Sequence, residues 1–100
     1  MNDIQLLWNA HEGAPFPSGI AGLEIEDEDL VSLDTYISGC ISSFCGSRGR
    51  LDEDKIKILT KCHASLTKVL PMLTGDARAY YSRLHQISQS ILKRLGLVNQ

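Results

Sequence analysis

Apolar residues recur at spacings of three and four in three long segments of the chain, and breaks containing glycine or proline separate these segments. An α-helix makes one turn in about 3.6 residues, so each segment predicts an amphipathic helix with one apolar face. We place predicted helix 1 at about residues 27–45, predicted helix 2 at about 52–70 and predicted helix 3 at about 74–95. Short connections make neighbouring helices antiparallel. The sequence therefore predicts an all-α fold: an antiparallel three-helix bundle with an N-terminal arm packed on predicted helix 1.

Specific capping signals mark the ends of predicted helices 2 and 3. Asp52 is a good N-cap residue, and it places Leu51 and Ile56 at the two positions of a hydrophobic staple. Pro71 disfavours helical dihedral angles in the residue before it, so predicted helix 2 should end or kink there. Gly96 follows predicted helix 3 as the left-handed residue of a Schellman motif.

The arm, residues 1 to about 26, carries a different pattern from the bundle, which spans about residues 27–97. An apolar cluster that contains Trp8 is followed by a loop-like stretch with two prolines, and Leu23 and Ile25 then alternate with acidic residues as in a strand. The pattern predicts an extended arm, or a small hairpin in which the two apolar patches pair, and it leaves the helical content of the arm open. A chain of 100 residues is enough for one hydrophobic core, so we expect a single domain over residues 1–100.

The composition excludes several classes of protein. Hydrophobic residues make up 43% of the chain and charged residues 22%, which are ordinary values for a folded protein and argue against wholesale disorder. The apolar runs are too short to span a membrane, and the first residues lack the basic region of a signal peptide, so we expect a cytoplasmic protein without membrane contact. The three cysteines, Cys40, Cys45 and Cys62, have no C-x-x-C spacing, so we expect free thiols, no metal site and no cofactor.

Charge is divided unevenly along the chain. Residues 1–47 contain eight acidic residues and no Lys or Arg, whereas residues 48–100 contain all ten Lys and Arg with four acidic residues. Such asymmetry bears on the choice of partner and on the rate of encounter rather than on the fold. It is explained if the two halves face each other within one chain or in a dimer. Arg48 and Arg50, in the connection after predicted helix 1, should complement the C-terminal end of its dipole.

One face of predicted helix 1 carries small residues and no charge: Ser32, Thr35, Gly39, Ser42 and Gly46. A glycine inside a helix costs about 1 kcal/mol relative to alanine, and close approach of another backbone is the usual reason for one. We therefore predict that this small-residue packing face is covered. Either the arm covers it with its aromatic and aliphatic side chains, or a second copy of the helix packs on it across a two-fold axis in a homodimer. The remaining alternative is that the face is simply solvated.

An acidic run leads into predicted helix 1 and contains Glu24, Glu26, Asp27, Glu28 and Asp29. Negative charge around the first turn stabilises a helix through its dipole. Capping does not require five carboxylates, which repel one another, so the surplus indicates a binding surface for a basic partner. The sequence therefore predicts a small cytoplasmic protein-protein interaction module: an adaptor, an inhibitor or an immunity-type binder.

The first alternative function is a nucleic-acid-associated regulator that uses the basic faces of predicted helices 2 and 3. On predicted helix 3 the basic residues are Arg78, Arg83, Lys93 and Arg94. The net charge of −2 and the absence of a known type of recognition helix make nucleic acid the less favoured partner.

The second alternative is a small enzyme or ligand-binding protein centred on His85 and Tyr81. The sequence contains no serine, histidine or cysteine pattern typical of a known catalytic or metal motif. We therefore assign no catalytic, cofactor-binding or metal-binding residue, and an enzyme is the less expected class.

Overall fold

The computed structural model describes residues 3–97 and contains four α-helices and one short hairpin. Its elements in chain order are α1 (Asp3–Glu12), β1 (Glu24–Ile25), β2 (Glu28–Asp29), α2 (Leu30–Gly46), α3 (Glu53–Val69), a 3-10 turn (Leu70–Met72) and α4 (Gly75–Arg94). The chain is mostly helical, as the apolar periodicity predicts. Helices α2, α3 and α4 correspond to the three predicted helices, and each packs against the other two. The prediction of only three helices is incomplete, because α1 adds a fourth.

The first helix, α1, lies in the segment for which the sequence predicts an arm. Its buried residues, Ile4, Trp8 and His11, occupy one face. The helix packs mainly against α4 and makes a smaller contact with α2, so the predicted packing of the arm on predicted helix 1 is wrong in its main contact. The apolar pattern of α1 is short and ends in a histidine, which counts as polar in a search for periodicity. The helix is therefore difficult to recognise in the sequence.

A tight β-hairpin turns within the acidic run. Its strands pair antiparallel, with Ile25 opposite Glu28. Glu26 and Asp27 form the two-residue loop with φ values of 53° and 65°, and positive φ at both positions is the geometry of a type I′ turn. The strand character predicted around Ile25 is present, but the two apolar patches of the arm do not pair with each other.

Acidic N-caps begin α2 and α3. Asp29 caps α2, and its carboxylate accepts a hydrogen bond from the backbone N–H of Val31 at 3.0 Å. The acidic run therefore precedes α2 instead of filling its first turn, which corrects the predicted start near residue 27. Asp52 caps α3 as predicted and accepts a hydrogen bond from the N–H of Lys55 at 2.9 Å.

The ends of α3 and α4 also follow the sequence signals. Helix α3 ends at Val69, and Pro71 lies in the 3-10 turn that follows it. Gly96 has a φ of 78°, and the N–H of Leu97 donates to the carbonyl oxygen of Leu92 at 2.8 Å. This is the bond that defines a Schellman motif, so that prediction is confirmed.

The core lies between α2, α3 and α4, with α1 packed against α4. The predicted apolar face of α2 is buried throughout and contains Leu30, Leu33, Ile37, Cys40, Ile41 and Phe44. The hydroxyl of the buried Tyr81 donates to the carbonyl oxygen of Leu30 at 2.6 Å, which ties α4 to the first residue of α2. Ile58, at the edge of the apolar face of α3, does not join this core and is 40% exposed.

Candidate functional site

The predicted small-residue face of α2 is open. Gly39, Ser42 and Gly46 are exposed, and a Cβ atom added at either glycine would meet no described atom within 4 Å. The explanation that the arm covers this face is therefore wrong, because α1 packs mainly on α4 instead. Simple solvation of this face agrees with the exposure of its residues, and the other alternative, a second copy of α2, stays a prediction.

The solvent side of α2 carries no charge along the whole helix. Asp34 is the one ionised residue among the 17 of α2, and its carboxylate accepts hydrogen bonds from the hydroxyls of Tyr80 (2.9 Å) and Ser38 (3.2 Å). This carboxylate is thus engaged at the contact with α4. Two large side chains on the solvent side are instead exposed, Val31 at 37% and Tyr36 at 57%.

A groove between α2 and α3 adjoins this uncharged face. It encloses about 400 Å³, and the residues that line it include Glu28, Asp29, Ser32, Leu33, Tyr36, Ile58, Lys61, Cys62 and Ser65. The exposure of Ile58 is explained here, because its side chain lies at the groove and not between the helices. Burial raises the pKa of the Cys62 thiol, with a further increase from the charge of Glu28, so this cysteine is a poor nucleophile. We name this the hairpin groove, because the β-hairpin closes one end of it.

The five carboxylates of the predicted acidic site have two different roles. Glu28 accepts hydrogen bonds from the Ser65 hydroxyl (2.9 Å) and the Lys68 ammonium (3.4 Å), and Asp29 caps α2. The other three carboxylates belong to Glu24, Glu26 and Asp27, which are exposed. No hydrogen bond or ion pair joins them to another residue within 3–97. The structure therefore separates two carboxylates that hold the hairpin in place from three that are available to a partner.

Two exposed arginines lie at the opposite end of α2. A second groove of about 400 Å³ lies there, lined by residues that include Ser43, Gly46, Arg50, Leu51, Asp52 and Lys55, and the Lys55 ammonium pairs with the Asp52 carboxylate at 3.1 Å. Arg48 and Arg50 are exposed, and their guanidinium groups form no hydrogen bond or ion pair with any residue that the structure describes. Free acidic groups therefore lie at the N-terminal end of α2, and free basic groups lie at its C-terminal end.

The four basic residues assigned to a nucleic-acid face on α4 do not form one patch. The guanidinium of Arg83 points toward α1, where its Nε–H donates to Nδ1 of His11 at 3.1 Å and its Cζ atom lies 5.8 Å from the centre of the Tyr80 ring. Arg78 is close to the start of α4, and Lys93 and Arg94 are at its end. At about 1.5 Å of rise per residue, Arg78 and Lys93 are separated by about 22 Å along the helix. Nucleic-acid binding stays a prediction.

Two histidines meet across the contact between α3 and α4. The rings of His63 and His85 stack with their centres 4.2 Å apart. Nδ1 of His63 lies 2.8 Å from the hydroxyl of Ser88, and Nε2 of His85 lies 2.8 Å from the hydroxyl of Thr67. Each hydroxyl also donates its hydrogen to a backbone carbonyl, so each accepts one from the imidazole N–H. Ser88 is fully buried, so its hydroxyl is out of reach of a substrate. A ligand site around His85 stays a prediction.

The residues that sequence reasoning missed are Tyr36, Ile58 and Arg50, which the structure places around the uncharged face. The absence of charge along α2 is a visible sequence signal for this surface. No sequence signal shows that Ile58 is exposed, because a residue at the edge of the apolar face of α3 can lie either in the core or at the surface.

No known protein family, curated protein or solved structure matches the chain. None of the helices within residues 3–97 is long and apolar enough to cross a membrane. In the same part of the chain no three His, Cys, Asp or Glu side chains are grouped as ligands for a metal ion. The geometry of the surface around α2 is therefore the basis for a functional proposal.

Proposed function

We propose that the protein is a small cytoplasmic protein-interaction module that binds a basic protein surface through the β-hairpin and the hairpin groove. An adaptor, an inhibitor or an immunity-type binder would use such a surface. One observation carries the proposal: three unpaired carboxylates stand beside an apolar groove at which Tyr36 and Ile58 are exposed.

The hairpin presents its carboxylates from a supported position. The type I′ turn fixes the backbone of Glu26 and Asp27, and Glu28 and Asp29 attach the second strand to α3 and α2. A surface that is ordered before binding loses less conformational entropy when a partner arrives. Complementary charge then increases the rate of encounter and selects basic partners.

The hairpin groove supplies the apolar part of the contact. Buried aromatic and aliphatic anchors contribute most of the energy in protein interfaces, whereas charges at the rim mainly affect the rate and the salt dependence of association. Tyr36 and Ile58 are the exposed apolar side chains at this groove. A partner side chain that packs between them would remove both from water.

The contribution of the hairpin carboxylates to binding is tested with one variant that carries three substitutions, Glu24→Gln, Glu26→Gln and Asp27→Asn. The asparagine retains the tolerance for positive φ that position 27 requires. A protein captured from native cell extract is purified, and its Kd is measured for the wild type and the variant. We expect Kd to rise about tenfold for three rim charges, mainly through slower association.

A matched control neutralises three exposed carboxylates that line neither groove, Asp3→Asn, Glu12→Gln and Asp76→Asn, with the same change in net charge. This variant should bind as the wild type does. Equal weakening by both variants would remove the hairpin from the binding site. The apolar contact is tested with Tyr36→Ala and Ile58→Ala, against Leu6→Ala and Met72→Ala, which truncate apolar side chains of similar exposure at other sites.

A further inference from the structure

The exposed surface along α2 is self-complementary in charge. Free carboxylates of Glu24, Glu26 and Asp27 stand at its N-terminal end, and free guanidinium groups of Arg48 and Arg50 stand at its C-terminal end. Between these ends the solvent side of α2 is uncharged over its 17 residues, a length of about 25 Å. A two-fold axis through the middle of such a surface would bring the acidic end of each copy against the basic end of the other, so the same contact would form twice.

We infer that the partner of this site is a second copy of the chain, docked so that the two α2 helices run antiparallel across a two-fold axis near Gly39. The inference rests on the proposed function, because it names the partner of the same surface. Arg48 and Arg50 of the second copy supply the basic groups that the hairpin binds. The reciprocal contact forms at the other end, as two-fold symmetry requires.

The middle of α2 suits this arrangement. Gly39 lies near the centre of the helix, and the space beside it contains no described atom within 4 Å of an added Cβ. A glycine at that point lets the backbone of a second helix approach closely. Tyr36 lies one turn away and is 57% exposed, so its ring is placed to enter the groove of the facing copy.

The grooves at the two ends of α2 extend the match. Both grooves run between α2 and α3. The charged residues that line the hairpin groove are Glu28, Asp29 and Lys61, and those that line the second groove are Arg50, Lys55 and Asp52, so the first lining has one excess negative charge and the second has one excess positive charge. In the antiparallel arrangement the hairpin groove of one copy therefore faces the second groove of the other. The negative charge of residues 1–47 meets the positive charge of the connection after α2 without a different protein being required.

The test measures self-association of the full chain by sedimentation velocity over a range of concentrations and salt. Two charge-reversed variants are compared, Glu24→Lys with Glu26→Lys, and Arg48→Glu with Arg50→Glu. Each variant alone places like charges at both contacts, so we expect its dimer Kd to rise at least about tenfold. An equimolar mixture restores opposite charges at both contacts, so we expect a heterodimer with an affinity close to that of the wild type.

A third variant, Gly39→Glu, places two carboxylates at the axis and should abolish dimerisation. It should not unfold the chain, because the added side chain has free space and glycine is the poorer helix former. Thr60→Glu is the control, since Thr60 is exposed on α3 and lines neither groove, and it should leave the dimer intact.

A wild-type chain that stays monomeric at its highest soluble concentration in low salt would overturn the inference. A dimer that survives Gly39→Glu, or a variant mixture that does not associate, would overturn it as well. These failures differ from failure of the proposed function. A monomer that binds a different basic protein, with sensitivity to the hairpin carboxylates, keeps the interaction surface and rejects only the second copy as its partner.

Discussion

Arg83 on α4 donates a hydrogen bond from Nε–H to Nδ1 of His11 on α1, at 3.1 Å. The bond requires a lone pair on Nδ1, so the neutral ring carries its proton on Nε2, which is buried and has no partner among residues 3–97. Protonation of His11 would break the bond and place a second cation beside the guanidinium. The attachment of α1 to α4 is therefore sensitive to acid.

The first prediction concerns stability as a function of pH. Burial lowers the pKa of His11 from its ordinary 6.5, and the charge of Arg83 lowers it further, although Asp34 opposes these effects. Below about pH 6.5 the unfolded chain takes up a proton that the folded chain does not, so the free energy of unfolding falls as pH drops and becomes constant below the folded-state pKa. Fluorescence of Trp8, the one tryptophan of the chain, reports the release of α1.

His11→Gln provides the control for that experiment. Its amide oxygen can accept from Arg83, and the side chain does not titrate. The pH response at Trp8 should become smaller in this variant but should not vanish, because His63 and His85, whose pKa values burial also lowers, still titrate. A response of unchanged size would assign all of it to groups other than His11.

The second prediction concerns the stacked pair of histidines. Burial lowers the pKa values of both His63 and His85, and the charge of His63 lowers the pKa of His85 further. His63→Gln removes that charge, so the pKa of His85 should rise toward its usual value. Titration of the His85 ring by NMR measures this change. A fixed pKa would mean that burial alone controls the ring.

The third prediction compares two tyrosines. Tyr81→Phe removes the buried hydroxyl that donates to the carbonyl oxygen of Leu30 at 2.6 Å, so the free energy of unfolding should fall by about 1–2 kcal/mol. Tyr36→Phe removes a hydroxyl from an exposed side chain and should have little effect. Urea unfolding of both variants, in dilute solution, makes the comparison. Similar losses would contradict the assignment of Tyr81 as the tie between α4 and α2.

The fourth prediction assigns opposite signs to two glycine substitutions. Gly96→Ala puts a side chain at a φ of 78° and should destabilise the chain by about 1 kcal/mol. Gly39→Ala fills free space in an ordinary helical position and should stabilise the dilute chain by up to about 1 kcal/mol. Thermal unfolding of the two variants checks the signs. Loss of stability in Gly39→Ala would show that this face is packed in solution.

The helices of the bundle are predictable from sequence because their apolar periodicity is long and their ends carry explicit caps. Asp52 and Gly96 perform the roles that their positions predict. Helix α1 was not predictable in the same way, since one of its three buried residues is His11. Burial of this histidine depends on Arg83, which is distant in the chain, and no local pattern contains that contact.

The candidate surface was predictable in part. The absence of charge on one side of α2 is visible in the sequence. The prediction that the arm covers this side is wrong, because a sequence can show that a helix face is unusual but not what packs on it. The sequence shows the acidic run, but it does not show that the run folds into a β-hairpin. Glu26 and Asp27 adopt positive φ without glycine, and the strongest hairpin signals depend on a glycine in the loop.

The hairpin keeps its bonded carboxylates and its unbonded carboxylates at different positions, and this separation affects which substitutions the sequence can tolerate. Its anchoring carboxylates, on Glu28 and Asp29, follow the turn, whereas the side chains of Glu26 and Asp27 form no hydrogen bond or ion pair within residues 3–97. Substitutions at the tip that accept positive φ should therefore have little effect on folding. Under the proposed function, related chains could differ in binding specificity at these two positions while the helices beneath them stayed the same.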